Sequence, residues 1–265
     1  MKISKSTNIA LSPEDVWREV QTPNLLQHIA WPLIQFHFVD PATFTYFNDR
    51  ERFKVSLKLL GIVPLGEQWI VPSIHAERPE SWPKRLRDNG FSKLVKTWDH
   101  WITIMPNDNG GTRYTDEIEV QAGIFAPVVW AFAWVFYRHR QHRWRGLART
   151  LAARRLVAVE HEAFERAIAS NDVESAWQAL ERIHIITQIF AGLHIRSHLL
   201  MLSYAWKLRD WKEFIGQLFR LALAPIGNLT GRLPYGNTGR SNVSAFEPME
   251  LPTDLSAKLQ NFDPL

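Results

Sequence analysis

The chain contains no cysteine among its 265 residues. That removes disulfides, thiolate metal sites and cysteine nucleophiles together, so any metal would need His, Asp, Glu or Gln. Long apolar runs are also missing. The longest, Ile124 to Tyr137 ("IFAPVVWAFAWVFY"), has 14 residues, against about 20 for a helical bilayer span, and a buried or interfacial helix is expected there. The opening "MKISKS" leads into alternation and Pro13, so neither a signal peptide nor export is expected, and the expected location is cytoplasmic. Acidic residues are absent from Gln121 to Val159, where Arg138, Arg140, Arg143, Arg145, Arg149, Arg154 and Arg155 accumulate. The whole chain carries a formal charge of only +4, and the rest of it is not basic, so nucleic acid is not an expected partner.

What is present is an ordinary globular composition with an excess of one residue. Hydrophobic residues make up 46% and charged residues 22%, enough to bury a core. Twelve tryptophans imply aromatic cavities or interfaces as well as packing. "KISKSTNIAL" alternates Ile3, Lys5, Thr7 and Ile9 against polar neighbours, which reads as a strand with one buried face. In "SPEDVWREV", Ser12 suits an N-cap, Pro13 the first turn, and Glu14 and Asp15 the positive end of the helix dipole. A short second helix is expected around Asn24 to Ile29. Strands then follow in "LIQFHFVD", "TFTYF", "RFKVSLKLL", "GEQWIVPSIHA" and "FSKLVKTWDHWITIMP". "NDNGG" at 107 to 111 reads as a hairpin turn before "TRYTDEIEVQAG". A long helix is expected from Ala126-Pro127 to about Ala169, with an interruption.

This order, with "SPEDVWREV", "GIVPLGEQWI", "NGGTRYTDEIEV" and "FAPVVWAFAWVFYRHRQHRWRGLA", resembles the helix-grip fold of the START and polyketide-cyclase superfamily over residues 1 to about 150. The resemblance implies a curved antiparallel sheet wrapped on the last helix, a deep apolar cavity between them, and binding of hydrophobic or aromatic small molecules or lipids. Only some members of that superfamily are enzymes.

From about Val157 the pattern is helical. Asp172 and Asp210 read as N-caps, and Asn171 as a stop. Ala167, Asp172, Leu180 and Arg182 recur 38 residues later as Ala205, Asp210, Leu218 and Arg220, which suggests two stacked helical hairpins of tetratricopeptide-like character. The helices are expected to end at Pro225. The Gly- and Pro-rich remainder reads as an extended tail anchored by Leu233, Tyr235, Val243, Phe246, Met249 and Leu251, with a last short helix capped by Thr253 or Asp254. The combination of His184, Gln188, His194, His198, Gly216-Gln217, Arg220, Pro234, Gly236-Asn237-Thr238-Gly239, Pro248-Met249, Pro252 and Asp254-Leu255 resembles a bacterial domain family of unknown function. That implies a fold and no activity.

Four groups of residues could carry chemistry. His184 and Gln188, and His194 and His198, are i,i+4 pairs on successive helices. Facing each other they could hold zinc, nickel or copper, with Glu181 and Asp210 as the nearest further ligands. Diverging, they are polar residues at a helix interface, which is the favoured reading. "GRLPYGNT" has a P-loop frame without its lysine, and no strand-to-helix context, so nucleotide binding is rejected. Arg138, His142, Arg145 and Arg149 make one helical stripe that could touch an anionic membrane surface, although a solvated face of the closing helix is preferred. His100, Asp99, Asp116, Glu117 and Glu119 could supply acid and base. Of these Asp116 shares the inward face with Tyr114, Ile118 and Val120, and one inward carboxylate makes a polar handle rather than a catalytic pair.

The resulting expectation is an α+β protein. Residues 1–152 form a helix-grip ligand-binding domain, and residues 157–265 an all-α helical-hairpin domain with an extended tail. The leading function is non-catalytic binding of an apolar or aromatic molecule or lipid. Its cavity wall is drawn from Trp31, Phe36, Phe38, Phe53, Trp69, Trp98, Trp101, Tyr114, Asp116, Trp130 and Trp134. The helical domain would bind a protein partner or a second copy. The alternatives are a metal-binding or metal-responsive protein working through His184, Gln188, His194 and His198, and a cyclase- or hydrolase-type enzyme acting in the cavity. No organic cofactor is expected, and a divalent transition metal is the one cofactor these residues suit.

Overall fold

The computed structural model describes residues 1–76, 78, 80–92, 95–108 and 110–259. It divides into two units, Met1–Arg149 and Thr150–Leu265.

The first unit opens with β1 (Lys2–Ile9), in which Ile3 and Ile9 are buried. Two short helices follow, α1 (Pro13–Val20) and α2 (Pro23–Ala30). Both are capped as their sequences require. Ser12 Oγ accepts from Asp15 N–H, Thr22 Oγ1 accepts from Leu25 N–H, and each helix has proline in its first turn. The strands β2 (Ile34–Asp40), β3 (Phe53–Leu59), β4 (Val63–Ile70), β5 (Pro72–His75), β6 (Lys84–Ser92), β7 (Thr97–Pro106) and β8 (Thr112–Gln121) complete the sheet. Its order is β1-β8-β7-β6-β4-β3-β2, with β5 paired to β6, and every pairing is antiparallel. β8 alternates strictly, burying Thr112, Tyr114, Asp116, Ile118 and Val120. The β7–β8 connection is closed by Asn107 and Gly111, each bonding the other. Asn109, in the expected "NDNGG" turn, lies outside the described residues.

The sheet grips α3 (Ala126–Ala169), a continuous helix of 44 residues with no interruption. Its residues Ala133, Phe136 and Tyr137 pack with Ile3, Ile34, Ile118 and Val120 from the sheet. The N-terminal half is thus an α+β helix-grip domain.

Two strand expectations need correction. "TFTYF" (43–47) is irregular. Its apolar alternation serves a cluster instead: Phe44 and Phe47 pack on Phe38 and Phe53 at centroid separations of 4.5 to 6.0 Å. "FSKLVKTWDHWITIMP" is not one strand. Its first two residues end β6, Ser92 and Val95 bond each other, and β7 begins at Thr97, with residues 93 and 94 outside the described residues. β6 itself contains Asp88-Asn89-Gly90, turn residues that ladder bonding to β7 holds extended. Glycine is required at 90, where a Cβ would lie 2.8 Å from the Trp69 carbonyl oxygen.

The second unit takes the rest of α3, then α4 (Val173–Thr187), α5 (Ala191–Leu208), α6 (Trp211–Thr230) and α7 (Thr253–Leu259). The 38-residue repeat has a structural counterpart. Asn171 and Arg209 both adopt φ 57°, Asp172 and Asp210 N–H bond Ala167 and Ala205 carbonyls, and each Asp caps the next helix. The core is Phe164, Ala176, Trp177, Leu180, Ile183, Met201 and Tyr204. The expected stop at Pro225 does not occur. α6 runs through it to Gly231, because a proline costs a helix one N–H bond and here does not end it. The tail is ordered, but not by its aromatics, since Tyr235 and Phe246 are exposed. It is fastened instead by Gly236, Asn237, Gly239 and Arg240. Among the described residues no helix is long and apolar enough to cross a membrane.

Asp210→Ala removes an N-cap and is expected to cost about 1 kcal/mol, read from the urea midpoint at unchanged m-value. No shift in midpoint would show that the second hairpin does not depend on its cap.

Candidate functional site

Between the sheet and α3 lies a cavity of about 360 Å³. Ile34, Phe36, Leu57, Leu59, Val95 and Trp98 from the sheet side, and Val129, Phe132 and Phe136 from α3, give it an apolar wall. The polar exceptions are Gln68, Asp88, Ser92, His100 and Arg140. Two exposed apolar side chains, Leu65 and Val128, also line it.

Two of these, His100 directly and Arg140 through Tyr114, connect to a buried carboxylate. Asp116 is fully buried. Its Oδ1 accepts from His100 Nε2 at 2.8 Å and from Tyr114 Oη at 3.0 Å, and its Oδ2 accepts from Gln141 Nε2 at 2.8 Å. Burial alone would push the Asp116 carboxyl up. The His100 hydrogen bond and the charge of Arg140 outweigh it and hold its pKa below the usual value. Burial lowers His100, so its ring is neutral and donates from Nε2. Burial raises Tyr114 well above the ordinary phenol range. Asp88 accepts from Val71 N–H at 2.9 Å, and burial pushes its pKa up to about 7. Asp88 is half-buried and lines the cavity. Arg140 stays charged, with its guanidinium 5.2 Å from the Tyr137 ring centroid. Among the described residues its one hydrogen bond is a long one, 3.5 Å to Tyr114 Oη.

Of the expected wall, Phe36 and Trp98 line the cavity, and Trp98 Nε1 donates to Tyr137 Oη. The others lie elsewhere. Trp31 ends α2 and is exposed. Phe38 and Phe53 belong to the four-phenylalanine cluster. Trp69 falls between the lining residues Gln68 and Ile70, so strand alternation turns it to the opposite face. Trp101 stacks with Arg85, Arg87 and His75 away from the cavity. Tyr114 and Asp116 sit behind His100. Trp130 donates to the Lys2 carbonyl, and Trp134 is exposed beneath Arg138. Asp99 turns away from His100 to form a bidentate pair with Arg87 at 2.7 and 3.0 Å.

Asp88 and Arg140 were missed, each for a traceable reason. Asp88 sits in a strand disguised as a turn. Arg140 lies on the buried stripe of α3 formed by Ala133, Tyr137, Arg140, Gln141, Trp144 and Ala148, a stripe legible only if the register is counted from its apolar members. The basic stripe is a separate face. Arg138, His142 and Arg145 line a surface groove with Lys5, Trp134 and Gln141. There burial and the Arg138 and Arg145 charges lower the Lys5 pKa. Arg149 is half-buried and outside that groove.

In the second unit His184 from the first i,i+4 pair meets both members of the second. One ring nitrogen each from His184, His194 and His198 lies within 4.8 Å of the other two, and all three side chains are buried. His184 Nε2 and His194 Nε2 are 3.0 Å apart. Burial lowers all three pKa values, that of His198 to about 4. Gln188 is not directed at this cluster. Its Nε2 donates to the Pro234 and Asn237 carbonyls, and its Oε1 accepts from Gly236 N–H. Glu181 pairs with Arg240 and Asp210 caps α6, so neither joins the cluster. Gly236 and Gly239 have φ 75° and 79°. A Cβ at Gly239 would lie 2.7 Å from the His184 ring, so this glycine lets the tail close on the cluster.

A sheet closed on one long helix around an apolar cavity defines the N-terminal half as a helix-grip domain. The chain belongs to the family described as "Domain of unknown function (DUF8410)", which it matches over residues 7–151. Residues 151–259 match a second family, "Protein of unknown function (DUF3703)". No curated protein matches the chain. Among solved structures, protein CV1439 from Chromobacterium violaceum is 13% identical with a TM-score of 0.42, covering 56% of this chain and 96% of its own. A START superfamily protein from Mycobacterium smegmatis is 14% identical with a TM-score of 0.38, covering 57% and 98%.

Asp88 generates a pH test. Its folded pKa, about 7, lies above the ordinary 3.8. The stability this contributes is therefore complete below about pH 4 and is lost as pH rises through about 7. Asp88→Asn keeps an acceptor for Val71 and cannot ionise. The variant should melt above the wild type near pH 8, and the gap should shrink steadily as pH falls and close below about pH 4, the window that linkage to this one carboxyl sets. A difference independent of pH would place the Asp88 carboxyl in water.

Proposed function

We propose that the N-terminal unit binds a small apolar molecule or lipid whose head carries an acceptor oxygen, a carboxylate being the best match, and holds it without chemical change. The observation that supports this is Arg140. A buried guanidinium has five donors in a rigid fork, and this one faces an apolar cavity with a single long hydrogen bond among the described residues. A carboxylate head would take up those donors, and the wall of Ile34, Phe36, Leu57, Phe132 and Phe136 would take the chain. The exposed lining residues Leu65 and Val128 give the entrance an apolar edge, as transfer from a lipid surface requires. The binding reading is favoured over catalysis because His100 Nε2 is committed to Asp116. On the same reading the helical unit is an interaction module for a protein partner or a second copy, offering the exposed Trp206, Trp211, Ile215 and Phe219.

Titration calorimetry with dodecanoate and dodecanol tests the head-group assignment on the unaltered chain. Dodecanoate should bind at least about 10-fold more tightly, the scale of a charge-assisted hydrogen bond. Arg140→Leu should abolish that preference while still binding the alcohol. Equal affinities in the wild type, or no binding of either, would overturn the reading.

A further inference from the structure

We propose that His184, His194 and His198 form a three-histidine centre for a divalent transition-metal ion of the zinc, nickel and copper class. The argument is an accounting of protons. His184 Nδ1 lies 2.9 Å from the Asn237 carbonyl. A carbonyl only accepts, so this nitrogen carries hydrogen. His194 Nδ1 lies 2.8 Å from Asn228 Oδ1. The Asn228 amide is oriented by its Nδ2, which donates to the Gln188 carbonyl at 2.8 Å, so Oδ1 accepts and His194 Nδ1 donates. His198 Nδ1 lies 2.8 Å from Gln217 Oε1. Gln217 is oriented in turn, because its Nε2 donates to Glu213 Oε1 at 2.7 Å and to the Gly239 carbonyl at 2.8 Å. All three rings therefore hold hydrogen on Nδ1, and in the neutral state each keeps a bare lone pair on Nε2.

Two of those lone pairs, on His184 and His194, stand 3.0 Å apart. Neutral rings in this arrangement repel, so the contact is stable only with a cation between them. A proton is the smallest candidate, but it can bridge only two of the three nitrogens gathered here. A metal ion satisfies both nitrogens and takes the third. Tetrahedral zinc with bonds of about 2.0–2.1 Å sets its nitrogens about 3.4 Å apart, a small adjustment for rings already within 4.8 Å. The surroundings are those of metal-ligating histidines, in which the second ring nitrogen is fixed by an oxygen acceptor. A carboxylate stands one hydrogen bond further out, because Glu213 accepts from Gln217. Burial would raise its pKa, but hydrogen bonds from Ser241 and Gln217 hold it low and ionised. Arg220 opposes a cation here. Its guanidinium is engaged by the Arg240 and Val243 carbonyls, and its charge favours an anion or hydroxide in the ion's remaining position.

The test uses the full chain, stripped with a chelator and titrated with zinc, nickel or copper ions alone. The stripped chain is expected to bind one ion, to melt at a higher temperature with it, and to show the Nε2 resonances of the three histidines shifting together in nitrogen NMR. His194→Gln and His198→Gln should each weaken binding by about 100-fold or more, while still melting cooperatively without metal. The NMR readout needs no variant, so a variant that fails to fold leaves the question decidable. A wild-type chain that binds none of the three ions, with unchanged melting temperature and resonances, overturns the proposal and assigns a shared proton to the His184–His194 contact. Binding that survives in both variants overturns it as well.

Discussion

A polar atom removed from water must find its partner inside the protein, and both units are organised around that demand. In the first, the demand comes from Asp116. Its two oxygens accept from β7 through His100, from β8 through Tyr114 and from α3 through Gln141. One carboxylate thereby joins two strands to the helix they grip. In the second unit the demand comes from side chains at α4 and on α6, and the tail answers it with backbone carbonyls. The carbonyls of Pro234, Asn237, Gly239, Arg240 and Val243 accept from Gln188, His184, Gln217 and Arg220.

The motif that runs through the last third of the chain acquires a physical meaning from this. His184 and Gln188 reach the tail from α4, and Gln217 and Arg220 from α6. Gly216 leaves room for Ser241 to pass, and Gly236 leaves room for the Met249 carbonyl. Asn237 then staples the tail to itself, donating to the Ser244 and Glu247 carbonyls and accepting from Gly239 N–H. Spacing in the sequence displays such residues as a pattern, but it cannot show that backbone carbonyls are their partners, since a carbonyl has no letter of its own.

Where local chemistry decides the structure, the sequence was legible. The caps at Ser12, Asp172 and Asp210 and the alternation of β1 and β8 are local or periodic signals, whereas the antiparallel grip on α3 came only from the family resemblance. Where tertiary contacts decide, it was not. "TFTYF" alternates like a strand yet serves an aromatic cluster. Pro225 reads as a stop, yet α6 continues past it and so delivers Asn228 to His194. The cavity wall drew on too many tryptophans, because Trp101 and Trp134 lie under arginines outside the cavity and Trp69 is turned to the opposite face of its strand. Arg140 was hidden among seven arginines of a stretch that reads as uniformly basic.

The distance along the chain between donor and acceptor sets an order of events. His184 waits for a carbonyl 53 residues downstream, and Gln188 for one 46 residues downstream. A growing chain that has already made α4, α5 and α6 still carries these donors without acceptors, so its interior cannot close dry. The helices can form early from local contacts, but their polar seam stays hydrated until residues 234–243 arrive and lie across it. The histidine cluster consequently acquires its final geometry after α4, α5 and α6, and a chain cut short before Pro234 would keep those three helices and lose the cluster's order.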